Sequence, residues 1–168
     1  MRSSLQTKYD SERLTTYDGT QLAPHWIYRN VGLEGDALMA WVGGANVTLG
    51  HMVDLEDVKR KAPIYSPKML HFLGEWFIDS LEQGILYQHY LALLTSEKLL
   101  QHGIQDIERR GNDIFVKERK LNVSIATRSP LSVLVHVGIN VETEGTPVPT
   151  VGLRELGVEP ESFGATLL

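Results

Sequence analysis

The segment SVLVHVGINV, residues 132–141, constrains the fold more than any other part of the chain. From residue 133 onward, every second position holds valine or isoleucine. The positions between them hold Leu134, His136, Gly138 and Asn140. Because successive side chains of a strand point to opposite faces, one face is apolar and the other is mostly small or polar. The segment therefore predicts a strand whose apolar face packs on a core.

A second segment, KLNVSIAT at residues 120–127, alternates in the same way. If the two strands pair antiparallel and helices cover their valine and isoleucine faces, their polar side chains collect on the opposite face. Those side chains are Lys120, Asn122, Ser124, His136 and Asn140. This face is a candidate small-molecule pocket, and the alternative is a plain sheet face in contact with water.

The rest of the chain shows the periodicity of a layered α+β domain. Further strands are predicted at residues 25–30, 36–42, 105–109 and 114–116, the first two as a hairpin. Helices are predicted to begin at Asp54, Ser66, Leu86 and Pro160. The Ser66 helix is inferred from an apolar stripe between Met69 and Leu81. We expect a single domain over residues 1–168, with a mixed or mainly antiparallel sheet and helices packed on one face.

Composition excludes several classes of function. The chain of 168 residues has no cysteine, which removes disulfides and every mechanism with a cysteine nucleophile. A net charge of -5 without a basic cluster argues against a nucleic-acid partner. No apolar run reaches the ~20 residues of a membrane span, and the N-terminus lacks the apolar stretch of a secretory signal. We expect a cytoplasmic protein without a membrane partner.

The segment GGANVTLGH, residues 43–51, is predicted to be a loop with a short strand around residues 47–49. Two adjacent glycines allow close approach that side chains would forbid. Asp54 and Asp57 follow His51 closely, and oxygen and imidazole ligands suit a divalent metal ion. Helix capping explains the same acids, and their spacing matches no metal motif, so no metal ligand is assigned.

The sequence shows two resemblances, one over nearly the whole chain and one over part of it. The segments YDGTQLAPHW, MVDLEDV, MLHF and KLNVSIAT resemble an uncharacterised prokaryotic family catalogued as a domain of unknown function. More distantly, the order of GGANVTLGH, NDIFVKERKL, VHVGINV and the closing VGLRELGVEPESFGATLL is similar to the biotin and lipoate protein ligase superfamily, which includes the octanoyl transferases. This second resemblance implies a biotin/lipoate ligase-like fold.

The ligase resemblance implies roles for individual residues. Lys120 would contact the carboxyl or phosphate of an activated acid and stabilise charge in the transition state. His136 is a second catalytic candidate from its place on the polar face, although a histidine between valines also suits a structural role. The substrate-binding candidates are Gly43, Gly44 and His51 in the glycine-rich segment, with Asn122, Ser124 and Asn140 on the strands.

The sequence departs from the superfamily in two ways. Octanoyl transferases use a cysteine for their acyl-enzyme intermediate, and this chain has none. The ligases imply ATP as a cofactor and place arginines at the glycine-rich loop to hold its phosphates, whereas WVGGANVTLGH has no basic residue apart from His51. The chain can therefore share the fold and the pocket of the superfamily and still carry out different chemistry.

The favoured function is an acid-activating or acyl-transferring enzyme that acts on a small-molecule carboxylic acid or its activated form. A second hypothesis is a non-catalytic small-molecule-binding or homo-oligomeric assembly module, in which the polar face is a partner surface. A third is a metal-dependent hydrolase that uses His51, Asp54 and Asp57.

Overall fold

The computed structural model describes residues 4–12, 15–53, 55–60, 63–146 and 148–168. The strands are β1 (Gln6–Tyr9), β2 (Ala37–Val47), β3 (Ile64–Trp76), β4 (Ile107–Arg110), β5 (Asp113–Val116), β6 (Arg119–Lys120), β7 (Asn122–Arg128) and β8 (Val133–Glu142). The helices are α1 (Trp26–Val31), α2 (Leu55–Arg60), α3 (Leu81–Gln101) and α4 (Pro160–Thr166), with a 3₁₀ turn at Leu49–His51.

A five-stranded sheet in the order β1-β2-β3-β8-β7 forms the centre of the fold. Its neighbouring strands are antiparallel except β1 and β2, which are parallel. A second sheet, in the order β4-β5-β6, is antiparallel throughout. The predicted α+β class with a mainly antiparallel sheet is confirmed.

Helices α3 and α4 cover one face of the large sheet. The valine and isoleucine side chains of β8 join Leu91 and Leu99 of α3 and Phe163 of α4 in the larger core. A smaller core on the other face contains Trp41 of β2 and Ile27 of α1. Removal of these side chains from water supplies the hydrophobic free energy that holds the layers together. The two longer helices therefore share one face, and the short helix α1 lies on the other.

The predicted helix behind Ser66 is wrong, because residues 64–76 form β3. This strand pairs with β2 on one side and β8 on the other, and its residues from Met69 to Trp76 are buried. A strand buried on both faces reads as a continuous apolar run, and periodicity cannot distinguish such a run from a buried helix. Pairing with β2 and β8 in the tertiary structure therefore determines that this segment is a strand.

The predicted strand at residues 25–30 is also wrong, because this segment contains α1. Gly32 ends the helix in the left-handed conformation (φ 79°), and its N–H donates to the carbonyl of Tyr28. The short strand predicted around residues 47–49 is wrong beyond Val47, because Leu49–His51 form the 3₁₀ turn. The first part of the predicted glycine-rich loop is instead the end of β2, which continues to Val47 past an irregularity between Gly43 and Ala45. A bulge of this kind keeps a strand paired while it bends.

The other predicted elements are confirmed. The second predicted helix is α3, which begins at Leu81 rather than Leu86 behind the N-cap Ser80. Helices α2 and α4 lie where the sequence predicts them, although Asp54 lies outside the described residues. The strands of the second half of the chain agree with prediction to within a few residues. None of the described helices has both the length and the apolar character needed to cross a membrane.

Candidate functional site

The segment predicted as one strand from Lys120 onward belongs to two sheets. The N–H of Leu121 donates to the carbonyl of Ile114 in the small sheet, and the carbonyl of Leu121 accepts from the N–H of Asn140 in the large sheet. Strand β6 therefore ends at Lys120, and β7 begins at Asn122. The alternation does not continue across this break, so Lys120 is not part of the predicted sheet face.

The register of β7 and β8 corrects the predicted polar face. Asn122 lies opposite Ile139 and Ser124 lies opposite Val137, and paired residues of antiparallel strands share a face. Both polar residues therefore lie on the valine and isoleucine face, whereas His136 lies on the other. The two strands pair antiparallel as predicted, but the register separates these two polar side chains from the histidine.

His136 is buried and forms a pair with His71 of β3, which is also buried. The Nε2 atom of His136 lies 3.1 Å from Nδ1 of His71. The Nε2 atom of His71 lies 3.1 Å from the carbonyl oxygen of Gly43 and 3.0 Å from that of Gly44. The ring of Tyr17 stacks on His136 with ring centroids 3.6 Å apart and an interplanar angle of 5°. These contacts fix the position and the orientation of both imidazoles.

The two carbonyl groups determine where the protons of this histidine pair lie. A carbonyl oxygen only accepts, so Nε2 of His71 carries the proton and its Nδ1 is an acceptor in the neutral ring. Nε2 of His136 therefore donates to His71. Burial lowers the pKa of His71 to about 4 against the opposing effect of the two carbonyls. Burial and the neighbouring His71 hold the pKa of His136 well below its ordinary value. Both rings are neutral near neutral pH.

Lys120 is held by its backbone and by an ion pair. Its N–H donates to the carbonyl of Pro149, and its carbonyl accepts from the N–H of Val151. Its Nζ atom lies 3.0 Å from a carboxylate oxygen of Asp113 on the adjacent strand β5. The side chains of Lys120 and Asp113 are 30% and 36% exposed, so solvent or a ligand can reach the charged pair.

A cleft of about 550 Å³ brings Lys120 and His136 together. Its apolar lining is Tyr17, Leu22, Val47, Met52, Val53, Ile64, Ile85, Val123, Ile125 and Ala126. Its polar lining is His51, Glu56, Gln88, His89, Asn112, Asp113, Lys120, Ser124 and His136. Because Ser124 and His136 lie on opposite faces of the large sheet, the cleft passes around its edge strand β7. A cleft of this volume accommodates a small organic molecule.

His51 and Ser124 are the predicted substrate-binding residues that line the cleft. His51 ends the 3₁₀ turn and is exposed. The Oγ atom of Ser124 accepts from Nε2 of Gln88 at 2.8 Å and from Nδ2 of Asn112 at 3.0 Å. These bonds join α3, β7 and the turn before β5 at one wall of the cleft.

Gly43 and Gly44 do not line the cleft. Their carbonyls face His71, and a Cβ atom on Gly43 would lie 2.5 Å from the carbonyl oxygen of Thr15. Side chains essentially never approach a backbone oxygen this closely, so the glycine permits residues 15–17 to pack over β2. The predicted ligand loop is therefore a packing contact that also provides the acceptors for the histidine pair.

Asn122 and Asn140 also lie away from the cleft lining, and both connect parts of the fold. The Oδ1 atom of the fully buried Asn122 accepts from the N–H of Ile114 at 2.7 Å, and its Nδ2 donates to the carbonyl of Asn112 at 3.0 Å. The Nδ2 atom of Asn140 donates to the carbonyl of Lys120 at 3.4 Å. Asn122 fastens the small sheet to β7, and Asn140 supports the backbone that carries the lysine.

The described residues contain no group of three or more histidine, aspartate or glutamate side chains arranged to hold a metal ion. Of the residues named for a metal-dependent hydrolase, His51 lies in the cleft lining. Asp54 and the side chain of Asp57 lie outside the described part of the chain. The hydrolase therefore stays a hypothesis that only the sequence suggests.

Sequence reasoning missed His71, Tyr17 and Asp113. His71 lies in the segment predicted as a helix, and reading that segment as a strand would have placed it beside Met69 and Leu73 on the face of His136. Asp113 has a detectable signal, because it directly precedes the strand predicted at residues 114–116, and the next predicted strand begins with Lys120. Tyr17 has none, since it lies outside any periodic segment.

The architecture assigns the chain to the biotin and lipoate protein ligase fold. The solved structure of Ta0514, a putative lipoate protein ligase from T. acidophilum with bound lipoic acid, matches with a TM-score of 0.57 at 13% identity, covering 99% of this chain and 83% of that chain. The solved structure of the biotin protein ligase of Leishmania major shares the fold with a TM-score of 0.57 at 11% identity, covering 96% of this chain and 70% of that chain. Similarity at this level establishes the fold and leaves the activity open.

The chain belongs to the family described as Domain of unknown function (DUF366), which matches residues 5–167. The uncharacterized protein MJ0805 of Methanocaldococcus jannaschii is 32% identical over 149 residues, which cover 85% of this chain and 67% of the relative. A solved structure titled as a protein of unknown function from Pyrococcus horikoshi is 39% identical with a TM-score of 0.94, and covers 98% of this chain and 88% of that chain. The family resemblance inferred from the sequence is confirmed, and the ligase resemblance is confirmed for the fold.

Proposed function

We propose that the cleft binds a small carboxylic acid or its activated form, with an apolar tail against the apolar lining and the carboxyl group at Lys120. The observation that carries this proposal is that apolar side chains and an accessible ammonium group line one cleft. Binding sites for small molecules combine a mainly apolar lining with a few polar groups that fix orientation. The lipoic acid bound by Ta0514, which has the same fold, supports this class of ligand.

The favoured activity is the transfer of an acyl group. In transfer from a thioester, the acceptor's nucleophile bonds to the acyl carbon, the carbon–sulfur bond breaks, and the acceptor's proton leaves with the thiol. The carbonyl oxygen carries negative charge between these events. The ammonium of Lys120 stabilises that charge, an effect worth about 3 to 4 kcal/mol for one well-aimed donor. Because the chain has no cysteine, no cysteine acyl-enzyme intermediate precedes the transfer.

ATP fits the cleft poorly. Among the described residues that line the cleft, Lys120 is the only lysine or arginine. The lining also contains the acidic residues Glu56 and Asp113. Phosphoryl chemistry relies on several cations or metal ions around the phosphates. An acid that is already activated is therefore the favoured substrate.

Melting temperatures measured with octanoate, lipoate and biotin, each with and without ATP, test this function. At least one acid is expected to raise the melting temperature of the wild type by binding the folded state. Lys120→Ala is expected to abolish the rise. Lys8→Ala, which removes the same charge from an exposed position on β1, is expected to retain it. No rise with any of the three acids contradicts the proposal.

A second proposal concerns homo-oligomers, and α3 provides the observation. Four residues on its outer face are large, apolar and exposed by 65%, 59%, 46% and 55%: Leu86, Tyr90, Leu93 and Leu100. Their spacing of four, three and seven residues forms a straight stripe along the helix. In an antiparallel pair with its two-fold axis at Leu93, Leu86 of each copy meets Leu100 of the other, so the three leucines are complementary to those of a second copy.

Sedimentation velocity over a concentration series tests self-association through this stripe. The wild type is expected to shift towards a dimer as concentration rises, and Leu93→Glu is expected to remain a monomer because two carboxylates would meet at the two-fold axis. Leu131→Glu, on an exposed leucine outside α3, serves as the control. The sheet face that contains His136, which the sequence suggested as a partner surface, instead packs against α1 and contains the smaller core. A wild type that stays monomeric throughout contradicts the proposal.

A further inference from the structure

His136 presents one ring nitrogen to the cleft. Its Nε2 atom bonds to His71, and the described contacts give its Nδ1 atom no hydrogen-bond partner. No buried side-chain nitrogen or oxygen of the described residues lacks a partner. Nδ1 is therefore reached from the cleft that His136 lines, although the residue as a whole is only 3% exposed.

The histidine pair also fixes the chemical character of this nitrogen. A proton on Nδ1 of neutral His136 would leave the lone pair of its Nε2 facing the lone pair of His71 at 3.1 Å. If the proton of His71 moved to its Nδ1 as well, the lone pair of its Nε2 would face the carbonyl oxygens of Gly43 and Gly44. Both arrangements replace hydrogen bonds with repulsion in a buried site. Nδ1 of His136 is therefore held as a hydrogen-bond acceptor.

Neighbouring side chains hold the acceptor in place. Tyr17 stacks on one face of the His136 ring, and the absence of a side chain at Gly138 leaves room beside the ring. A Cβ atom on Gly138 would lie 3.4 Å from Cε1 of His136 and 3.0 Å from Sδ of Met69. The imidazole is thus a preorganised polar group beside the apolar side chains of the cleft, and polar groups placed in this way fix ligand orientation in small-molecule sites.

We propose that Nδ1 of His136 determines ligand specificity: the acid bound in the cleft carries an O–H or N–H group that donates to this nitrogen, remote from the carboxyl group at Lys120. This inference rests on the proposed binding of a carboxylic acid and narrows its class. A plain aliphatic acid would exclude water from Nδ1 and leave it unpaired. Sites that contain a hydrogen-bonding group strongly reject analogues that lack the partner.

Calorimetric titration with two matched ligand series tests the inference. One series is straight-chain carboxylates of increasing length, and the other is the corresponding ω-hydroxy carboxylates. At the best length, the hydroxy acid is expected to bind roughly tenfold to a hundredfold more tightly than the plain acid. His136→Phe keeps a ring against Tyr17 but removes the acceptor, and it is expected to bring the two affinities together. His102→Phe, at the far end of α3 and outside the cleft lining, is expected to keep the preference.

The outcomes separate this inference from the proposed function. Equal affinities for the two series in the wild type overturn the inference while acid binding stands, and a preference that survives His136→Phe does the same. No binding by either series overturns both. Because His136→Phe leaves Nδ1 of His71 without its donor and can fail to fold, long-range proton–nitrogen NMR of the wild type provides a second measurement. A protonated Nε2 and an unprotonated Nδ1 on His136 support the inference, and the opposite tautomer overturns it.

Discussion

The ammonium nitrogen of Lys120 lies 3.0 Å from the carboxylate of Asp113, its partner across the β5–β6 hairpin. Both side chains line the same cleft, so a ligand carboxylate that binds the lysine must share it with the aspartate. The pair therefore positions Lys120 in the free protein and also competes with the ligand.

Asp113→Asn is expected to strengthen the binding of carboxylate ligands, because it removes the competing charge and keeps the shape of the side chain. Partly exposed ion pairs are worth up to ~1 kcal/mol, which corresponds to a gain of roughly fivefold in affinity. Calorimetric titration with the best-binding acid measures the change. Asp79→Asn removes a carboxylate that pairs with Arg128 at the surface and should leave the affinity unchanged. Weaker binding by Asp113→Asn would contradict competition between this aspartate and the ligand carboxylate for Lys120.

The histidine pair makes stability depend on pH. Burial lowers the pKa of His71 from 6.5 to about 4, and His136 shifts in the same direction. The unfolded imidazoles bind protons near pH ~6.5, so stability is fully present above that value and is lost as pH falls towards ~4. For His71 alone the loss approaches about 3 kcal/mol over this range.

Urea unfolding at a series of pH values measures this effect. The double variant His71→Met, His136→Phe removes both imidazoles and is expected to show a shallower decline in unfolding free energy below pH ~6.5 than the wild type. Subtracting one curve of unfolding free energy against pH from the other removes the contribution of the carboxylates, which both proteins share. Parallel curves would mean that the histidines are protonated equally in the folded and unfolded states.

Asn122→Ala is expected to lower the unfolding free energy by about 1 to 3 kcal/mol, because the N–H of Ile114 and the carbonyl of Asn112 both lose a buried partner. Chemical denaturation measures the loss. Asn46→Ala, at an exposed position of β2, is the matched control and should change stability little. A neutral result for Asn122→Ala would contradict its role as the connection between the two sheets.

Gly43→Ala is expected to destabilise the fold by about 1 to 3 kcal/mol, because its methyl group would meet the carbonyl of Thr15 at 2.5 Å. Gly50→Ala places the same methyl group where no atom lies within 4 Å and should be close to neutral. Thermal unfolding of the two variants gives the comparison. If Gly43→Ala were as stable as Gly50→Ala and lost only ligand affinity, the glycine would belong to the ligand site after all.

Local patterns predicted the elements whose residue types repeat with a clear period. Strand β8 is buried on both faces, but valine or isoleucine alternates with other residue types along it, and α3 alternates between buried and exposed positions. This periodic contrast identifies both elements. Strand β3 is buried on both faces, and its apolar run contains no such contrast. The helix α1 is only six residues long, too short for periodicity to separate it from a strand.

The candidate site shows the same limit. Lys120 and His136 were predicted and line one cleft, whereas Asn122 and Ser124 were placed on the wrong face because the register between β7 and β8 depends on the break at Leu121. The contact between His71 and His136 depends on the pairing of β3 with β8, which local periodicity does not predict. Register and strand order are properties of the assembled sheet, and a single sequence does not encode them in its local periodicity.

The most direct test of acid binding at Lys120 is a crystal structure of the protein with the carboxylic acid that gives the largest rise in melting temperature. The account predicts the acid in the cleft, with a carboxylate oxygen within hydrogen-bond distance of Nζ of Lys120 and the chain against the apolar lining. An acid bound elsewhere, or in the cleft with its carboxylate away from Lys120, would contradict it.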